Sequence, residues 1–398
     1  MKSKHLFLTL IICLFTTATF SQFNLEWTNN YQGIGLQFQL SCMDVDSYGN
    51  TYIVGNDSFS VGKLIKVDST GSLAWVFIDS INHPKFFVAI DHQQNCITVD
   101  SRSSNGYFYV KVQKFSPGGT LLWSYIYPHI GQDVVSGLKI DDHNNIYVSY
   151  FKAETNQVSI GAGLLKLDSD RNLLWENLNP HDKLWWNRNF EILPDHSIIN
   201  QYYSWRDTTG GLVPESHLYK VNSSGQTEWQ VDSLWQATSD VLVDQFQNSY
   251  ESAYNDSEFY LLKYDLAGHQ LWKKVLFDDV YFYHDYYGIN KEYSYYTAGK
   301  LVTKSALYLV VDQYRFNSGN SEFIKIHLFK IGFNGNILWQ YDYENPAIEV
   351  SFGRNLFQTC NSNLILEGYE YPDTFGLMFL KFFCLLLTHW EMNCIKAQ

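Results

Sequence analysis

The sequence has 398 residues, with 28 Lys and Arg against 41 Asp and Glu, for a net charge of −13. Because a nucleic-acid binder needs a positive surface against the phosphates, this balance disfavours a general nucleic-acid-binding protein. Charged and aromatic residues each make up 17% of the chain, a composition that favours a folded protein with a large apolar core over a disordered chain.

The first 21 residues predict a secretory signal peptide. Lys2 and Lys4 precede an apolar run over 6–15, and small polar residues follow as far as Ser21. The run is about half of the roughly 20 residues that a membrane-spanning helix needs, so a cleaved export signal is favoured over an anchor. We therefore expect a single domain over 22–390, a short irregular tail over 391–398, and a secreted or cell-surface location.

The remaining cysteines do not form a scaffold pattern. Their number is odd, their spacings are wide and no C-x-x-C pair occurs, which argues against a disulfide framework and a zinc site. We expect small buried apolar residues, with one disulfide as the alternative. These cysteines are Cys42, Cys96, Cys360, Cys384 and Cys394.

A repeat of the form K-x-[D/S/N/G]-x-x-[G/R]-x-x-x-W dominates the rest of the chain. In its first copy, Lys66 and Trp75 flank the turn residue Gly71. The tryptophans recur about every 52 residues, close to the period of roughly 40 to 50 residues that is typical of propeller blades. The repeat tryptophans are Trp75, Trp123, Trp175, Trp229, Trp272 and Trp339, and the turn glycines are Gly71, Gly119, Gly225, Gly268 and Gly335.

Two further tryptophans extend this series. Trp27 stands alone near the start of the expected mature chain. Residues 381–390 are interpreted as a worn copy, in which Lys381 and Trp390 keep their spacing while Leu386 replaces the turn glycine.

Each period contains two predicted hairpins. Alternating apolar residues over 259–265 predict a strand, and residues 269–277 predict its partner after a turn at Gly268, where glycine is free to take positive φ. A second motif with an Asp, Asn or Gly turn, such as 45–55 or 141–148, precedes the Lys-to-Trp hairpin. We expect each Trp to fill the space between neighbouring sheets, and each repeat Lys amine to meet the Asp two positions later, or water.

The sequence therefore predicts an all-β fold, a seven-bladed β-propeller of four-stranded antiparallel blades closed by an N-terminal strand around Trp27. In this arrangement Trp27 supplies the outer strand of the last blade and removes an exposed edge, so the copy at Lys381 is redundant. Two alternatives stay open: Trp390 completes the last blade, or the ring has eight blades with pieces missing.

The Lys-x-Asp-x-x-Gly-x-x-x-Trp hairpins resemble the repeats of secreted bacterial β-propellers, known as PQQ-like repeats or from surface proteins of gliding bacteria with type IX secretion. The resemblance covers about residues 27–390 and implies a fold more than a function. For a quinone enzyme it would imply axial carboxylates, a bound calcium and stacking aromatics, a set that this sequence does not place. Such proteins often end in a sorting domain, and because none is recognisable before Gln398 we expect a truncated or altered end.

Two aromatic segments are candidate ligand sites. The longest interval between repeat tryptophans holds a tyrosine-rich segment over 281–296, and such loops bind sugar rings or protein epitopes with little loss of entropy. Adjacent tryptophans over 185–186 point in opposite directions on a strand, so one can face a ligand. In both segments the alternative is packing within or between sheets. The candidate ligand-binding residues are Tyr281, Tyr283, Tyr286, Tyr287, Trp185 and Trp186.

No motif names a reaction. His181 and Asp182 would make an acid–base pair without a visible partner, and the histidines lack the spacing of a metal site. Calcium binding is an alternative for the oxygen-rich segments 44–50 and 141–145. Neither segment is followed by the bidentate Glu of an EF-hand, and we therefore favour hairpin turns for both. The apolar stretch 376–387 is too short to span a membrane.

We therefore predict a secreted, monomeric, non-catalytic binding module. Its expected partner is an extracellular or envelope protein or a glycan, bound on the loop face of the ring, and neither nucleic acid nor a membrane span is expected. We predict no cofactor, with calcium as the alternative. The alternative functions are a quinone- or metal-dependent oxidoreductase, a glycan-active enzyme on a propeller, and a structural fragment of a larger surface adhesin.

Overall fold

The regular structure is entirely β-strand in the part of the chain that the computed structural model describes. No helix that is long and apolar enough to cross a membrane occurs among these residues. The described residues are 39–56, 61–79, 85–104, 107–129, 131–154, 159–180, 184–208, 211–233, 241–255, 257–278, 293–317, 320–343, 351–358, 364–370 and 381–387.

The strands form seven antiparallel sheets, which we number blade 1 to blade 7 in chain order. Blade 1 holds β1 (Gln39–Val45), β2 (Thr51–Asn56), β3 (Gly62–Val67) and β4 (Leu73–Ile78). Blade 2 holds β5 (Lys85–Ile90), β6 (Cys96–Ser104), β7 (Tyr107–Phe115) and β8 (Leu121–Ile126). Blade 3 holds β9 (Val134–Ile140), β10 (Ile146–Ala153), β11 (Ser159–Leu167) and β12 (Leu173–Pro180).

The later blades follow the same order, and the last has three described strands. Blade 4 holds β13 (Leu184–Ile192), β14 (Ile198–Thr208), β15 (Gly211–Val221) and β16 (Thr227–Ser233). Blade 5 holds β17 (Leu242–Val243), β18 (Ser249–Tyr254), β19 (Phe259–Tyr264) and β20 (Gln270–Phe277). Blade 6 holds β21 (Tyr293–Val302), β22 (Leu307–Asn317), β23 (Asn320–Ile331) and β24 (Ile337–Tyr343), and blade 7 holds β25 (Ser351–Gln358), β26 (Leu364–Glu370) and β27 (Lys381–Leu387).

Successive blades meet along their first strands. β1 lies against β5, β5 against β9, β9 against β13, β17 against β21, and β21 against β25. The first strand of each blade is therefore its inner strand and the fourth is its outer strand, as in a β-propeller. The predicted all-β propeller is confirmed, whereas the closing strand at Trp27 lies outside the described residues.

The core lies between the blades. Five apolar clusters each draw buried side chains from two successive blades, from blades 1 and 2 through to blades 5 and 6. Between blades 1 and 2, for example, Val54 and Leu64 pack with Cys96 and Phe115. Cys96 is fully buried, as the sequence predicts for its small apolar cysteines.

The up-and-down order of the strands gives each blade two different ends. Both tight hairpin turns of a blade, such as 46–50 and 68–72 in blade 1, lie at one end, which we call the turn end. The chain passes to the next blade at the opposite end, the connection end. At the turn end neighbouring blades touch, because the Ser47 N–H donates to Gln94 Oε1 at 2.9 Å and the His92 N–H donates to Asn144 Oδ1 at 2.8 Å.

The Lys-to-Trp repeats form the third and fourth strands of blades 1 to 6. In the first copy, Lys66 lies directly opposite Trp75, and Gly71 takes the predicted positive φ of 83° in the turn. In blade 3, Arg171 occupies the equivalent turn position with φ 71°. The other opposed pairs are Lys114 and Trp123, Lys166 and Trp175, Lys220 and Trp229, Lys263 and Trp272, and Lys330 and Trp339.

Four of the repeat tryptophans pack against the next blade along the chain, in the space between neighbouring sheets that the sequence predicts for them. The indole of Trp75 covers Gly119, where an added Cβ would lie 2.9 Å from its Cδ2 atom. The indole N–H also donates to the Pro117 carbonyl at 3.1 Å. The same pairing of an indole with a turn glycine and carbonyl joins Trp175 to Gly225 and Ser223, Trp229 to Gly268 and Leu266, and Trp272 to Gly335 and Phe333.

The repeat lysines do not behave as predicted. Lys66 Nζ donates to the same Pro117 carbonyl at 3.1 Å and lies 3.8 Å from Asp46 Oδ2, so it does not pair with Asp68. Asp68 folds back into its own turn, where its Oδ1 accepts the N–H groups of Thr70 and Ser72. The expected pairing with the Asp two positions later is therefore wrong in this repeat.

A buried tyrosine completes the Lys–Trp contact in four blades. Lys66 Nζ lies 4.8 Å from the centroid of the Tyr52 ring, which meets Trp75 edge-on at 5.9 Å. Such a cation over an aromatic face is favourable. The equivalent tyrosines are Tyr147, Tyr250 and Tyr308.

The interpretation of 381–390 as a worn repeat is wrong. Each repeat Lys is the penultimate residue of its third strand, whereas Lys381 is the first residue of β27 and pairs with Glu370. The position equivalent to the repeat Lys is Leu386, which lies one residue before the end of that strand. Lys381 and Trp390 therefore share the spacing of nine positions with the repeat without occupying its positions in the sheet. Trp390 itself lies outside the described residues.

Candidate functional site

The tyrosine-rich candidates fall between two described strands. Residues Tyr281, Tyr283, Tyr286 and Tyr287 lie in the connection from β20 to β21, outside the described residues. The described residues that flank this connection are in contact, because Phe277 and Tyr295 stack with centroids 4.0 Å apart and planes 12° apart.

The side chains of the other ligand-binding and acid–base candidates also lie outside the described part of the chain. Trp185 and Trp186 are residues of the inner strand β13, and their side chains lie outside the described part of the chain. His181 and Asp182 also lie outside it. The repeat tryptophans of blades 1, 3, 4 and 5 serve packing between blades, which accounts for them without a ligand.

The oxygen-rich turns use their carboxylates internally. Asp46 Oδ1 accepts the N–H groups of Tyr48 and Asn50, and its Oδ2 accepts from the Asn50 side chain. Asp141 binds its own turn in the same way through His143 and Asn145. These are the Asx-type turns that the sequence favours over calcium loops.

The contact between the turns of blades 3 and 4 differs from the earlier ones. Gln94, Asn144 and His196 occupy the same turn position in blades 2, 3 and 4, with φ of 65°, 62° and 60°. The amide side chains of Gln94 and Asn144 each accept a backbone N–H from the preceding blade. At the third junction an imidazole takes the place of the amide.

The imidazole of His196 reaches two carboxylates and a second imidazole, in a group that we call the His–Asp cluster (Asp141, Asp142, His143 and His196). Its Nδ1 lies 3.3 Å from Asp141 Oδ2, and its Nε2 lies 3.7 Å from Asp142 Oδ1. His143 Nδ1 lies 3.2 Å from the same Asp142 oxygen, and the two imidazole centroids are 4.7 Å apart. One potential ligand atom from each of the four residues lies within 4.8 Å of the others.

Burial differs across the His–Asp cluster. The Asp141 side chain is 2% exposed, and burial opposes its ionisation, yet hydrogen bonds from Asn145 and Tyr147 and the charge of Lys166 lower its pKa overall. Asp142 and His143 are open to solvent, with side chains 71% and 69% exposed. The group thus combines one fixed carboxylate with accessible partners.

Sequence spacing misses this cluster because the two histidines come from different blades. His143 and His196 show no metal-binding spacing along the chain, and only the packing of blade 4 on blade 3 brings them together. Aligning the first hairpin turns of successive blades would have placed both at the same end of neighbouring sheets, which is the one available signal.

A second polar group resembles a catalytic triad. In blade 4, Ser204 Oγ lies 2.6 Å from His217 Nε2, and His217 Nδ1 lies 2.7 Å from Asp232 Oδ1. These distances are within the range of a nucleophile, base and orienting acid.

The same arrangement in blade 6 argues for a structural role. There His327 Nδ1 lies 2.9 Å from Asp342 Oδ1, and its Nε2 lies 3.0 Å from Gln313 Oε1. The position of the serine is thus filled by an amide that cannot act as a nucleophile. Ser204 is also only 1% exposed, which denies a substrate access to its hydroxyl. We interpret both groups as structural hydrogen-bond networks that link the second, third and fourth strands of their blades.

No family model and no curated protein matches this chain. A solved protein of unknown function from Bacteroides caccae is similar over 74% of this chain and 93% of its own, with 11% identity and a TM-score of 0.39. A mutant of the Synechocystis apocarotenoid oxygenase covers 77% of this chain and 74% of its own, with 9% identity and a TM-score of 0.44. An ACO/RPE65 chimera covers 76% and 71%, with 9% identity and a TM-score of 0.45.

Proposed function

We propose that this protein is an exported, monomeric, non-catalytic binding module whose partner, a glycan or a protein, meets the connection end of the blades. The observation that carries this proposal is the difference between the two ends of the propeller. The turn end repeats one design, and the connection end changes from blade to blade.

The repeated groups of the turn end are engaged in internal contacts. The indole of Trp75 and the amine of Lys66 both donate to one carbonyl of blade 2. The Asp46 carboxylate is taken up by its own turn. Side chains that are used in this way hold the blades in place and offer little to a partner.

The connections at the opposite end vary in length and composition. The connection from β12 to β13 is residues 181–183, whereas that from β20 to β21 is residues 278–292 and contains Tyr281, Tyr283, Tyr286 and Tyr287. Tyrosine supplies a large amphipathic contact area at low entropic cost, which suits sugar rings and protein epitopes. Because variable loops on a fixed scaffold commonly carry binding function, we assign the partner to this end.

The flanks of the long connection support this choice. Phe277 and Tyr295 stack on each other, and His327 lies against Phe277 with centroids 4.7 Å apart. These contacts hold Phe277 and Tyr295, the described residues on either side of the connection, next to each other. A segment with fixed ends has fewer conformations to lose when it binds.

The expected cellular location agrees with this kind of partner. Lys2 and Lys4 before the apolar run 6–15 favour export, and the Lys-to-Trp repeats resemble those of secreted propellers. A partner in the envelope or outside the cell, either glycan or protein, follows from that location.

The test is binding of the purified protein to a glycan array, followed by capture of partners from an envelope extract of the producing cell. We expect saturable binding that is lost when Tyr283, Tyr286 and Tyr287 are all replaced by Ala. The matched control is Tyr48→Ala, because Tyr48 is 73% exposed but lies at the turn end. Equal binding by the triple variant, with circular dichroism unchanged, would contradict the proposal. A failure of both the array and the extract to yield a partner would do the same.

A further inference from the structure

We propose that the His–Asp cluster binds one divalent transition-metal ion of the zinc type and so joins blade 3 to blade 4. Imidazole nitrogens and carboxylate oxygens are both zinc ligands, whereas calcium and magnesium prefer oxygen ligands alone. The cluster differs in this respect from the oxygen-rich turns of the other blades.

The junction of blades 3 and 4 differs from the two preceding junctions in the side chain at one turn position. At those junctions Gln94 and Asn144 complete the contact with one hydrogen bond each to a backbone N–H. At the third junction, His196 Nδ1 is shielded from solvent and makes no hydrogen bond, although it lies 3.3 Å from Asp141 Oδ2. A buried ring nitrogen without a hydrogen bond has a lone pair or a proton left unsatisfied. A metal ion bound by His196 and the other residues of the His–Asp cluster would satisfy the lone pair.

The spacing of the cluster suits a tetrahedral ion. With zinc-to-ligand bonds of about 2.0–2.2 Å, neighbouring ligand atoms of a tetrahedron lie roughly 3.3–3.6 Å apart. The separations of Asp141 from His196, and of Asp142 from His143, are 3.3 Å and 3.2 Å. All four residues reach within 4.8 Å of each other, so small side-chain rotations are sufficient for coordination.

Second contacts fix the ligand that is buried. Asn145 Nδ2 and the Tyr147 hydroxyl donate to Asp141 Oδ2 at 2.8 and 3.0 Å. Such outer partners orient a metal-binding carboxylate and hold it ionised. Lys166 Nζ, 3.8 Å from the same oxygen, is a competing cation, so we expect binding of moderate strength.

Zinc binding by the purified protein tests the proposal directly. Isothermal titration with zinc chloride should give one site per chain, and bound zinc should raise the melting temperature of the protein. A visible spectrum of tetrahedral Co²⁺, displaced by zinc, should report the same site.

The variants are chosen to preserve the turns. His196→Asn restores the amide that stands at this position in blade 3 and tolerates positive φ, and His143→Gln changes an exposed side chain. Each should weaken zinc binding at least about tenfold. The matched control is His269→Gln, because His269 faces a single carboxylate, Asp265, at 3.1 Å in an exposed turn. This control should bind zinc like the parent protein.

Three results would overturn the proposal. The first is the absence of saturable zinc binding, in which case His196 is an ion-pairing or buried neutral imidazole only. The second is zinc binding that persists in both His196→Asn and His143→Gln. The third is calcium competing with zinc for the site on equal terms, which would indicate an oxygen-only surface site. Circular dichroism of each variant shows that it is folded, and His143→Gln carries the test alone if His196→Asn is not.

Discussion

At the turn end of the propeller, neighbouring blades meet through the same indole contact at several junctions. An indole covers a glycine and donates to a backbone carbonyl, as Trp75 does at Gly119 and Trp229 does at Gly268. The indole's partners are a glycine and a backbone carbonyl, and at two junctions the repeat lysine donates to the same carbonyl, as Lys66 does at Pro117 and Lys263 does at Phe333. A repeat can therefore copy it from blade to blade without adjusting the neighbours.

Away from the turns, the buried polar groups between blades 1 and 2 differ from those between blades 4 and 5. Between blades 1 and 2, Lys85 is 0% exposed and bonds Asp79, Asp100 and Gln113. Between blades 4 and 5, Glu251 is 1% exposed and accepts hydrogen bonds from Gln201 and Ser216. These sets work only as combinations, because a buried charge without its partner is costly.

The two kinds of contact respond differently to substitution. A change in the indole contact alters the fit of apolar and backbone groups, and its cost is limited by how far these groups can move. A change in a buried charged set leaves another charge unpaired in a medium of low polarity. We expect the larger losses of stability from the second kind of change.

The largest expected effect is that of Lys85→Met. It leaves the fully buried Asp100 carboxylate without its cation, and we expect the free energy of unfolding to fall by about 3–5 kcal/mol. Urea unfolding followed by tryptophan fluorescence measures this change. The double variant Lys85→Met/Asp100→Asn should recover part of the loss, because the unpaired charge is then removed.

The matched control for this loss is Lys139→Met. Lys139 Nζ lies 2.8 Å from Glu191 Oε1 and also joins two blades, but both side chains are about one quarter exposed, at 28% and 26%. We expect a cost of about 1 kcal/mol or less. Similar costs for the two lysines would show that burial does not decide the cost of losing an ion pair in this protein.

The difference between local turn contacts and buried polar sets also explains how far the sequence predicts the fold. The Lys-to-Trp spacing and the glycine between them predict the hairpin, the opposed pairing of Lys66 with Trp75 and the left-handed turn residue, because these depend on neighbours within about ten positions of the chain. The role of the indole follows from its size and its period.

The sequence predicts side-chain contacts between strands and between blades less well. The pairing of Lys85 with Asp100, and the approach of His196 to Asp141, depend on which strand or blade lies alongside, and no local pattern marks them. Lys381 shows the opposite error, because a correct spacing occurs at the wrong end of a strand. The strand register, and not the number of positions between two residues, decides whether a Lys and a Trp belong to the repeat.

The second prediction tests the turn end through two adjacent glycines. Gly119→Ala places a Cβ 2.9 Å from the Trp75 ring at a φ of +88°, so we expect a loss of about 1–3 kcal/mol. At Gly118 the nearest atom to an added Cβ is Ser116 Oγ at 3.9 Å, and Gly118→Ala should change stability by less than about 0.5 kcal/mol. Urea midpoints of the two variants give the comparison. Equal losses would show that Trp75 does not rest on the glycine as described.

The smallest predicted effect separates two carboxylates of blade 5 by their pH dependence. Burial opposes ionisation of Asp244, but hydrogen bonds from Asn248, Tyr250 and the turn lower its pKa overall. Burial raises the pKa of Glu251, despite hydrogen bonds from Ser216 and Gln201 and the charge of Lys300. Asp244 therefore stabilises the fold above its ordinary pKa and loses this effect as the pH falls. Glu251 favours the fold in its protonated form, and that contribution is lost as the pH rises through its raised pKa.

Unfolding of Asp244→Asn and Glu251→Gln between acid and neutral pH brings out the two opposite signs. Asp244→Asn should cost about 1 kcal/mol near neutral pH, and its difference from the parent protein should shrink as the pH is lowered. Glu251→Gln should gain on the parent as the pH rises, because the amide has no proton to lose. Parallel curves for the two variants would mean that both carboxylates have the same environment. Opposite slopes are expected because Asp244 is held by its own turn, whereas Glu251 is enclosed between blades 4 and 5 by Gln201 and Ser216.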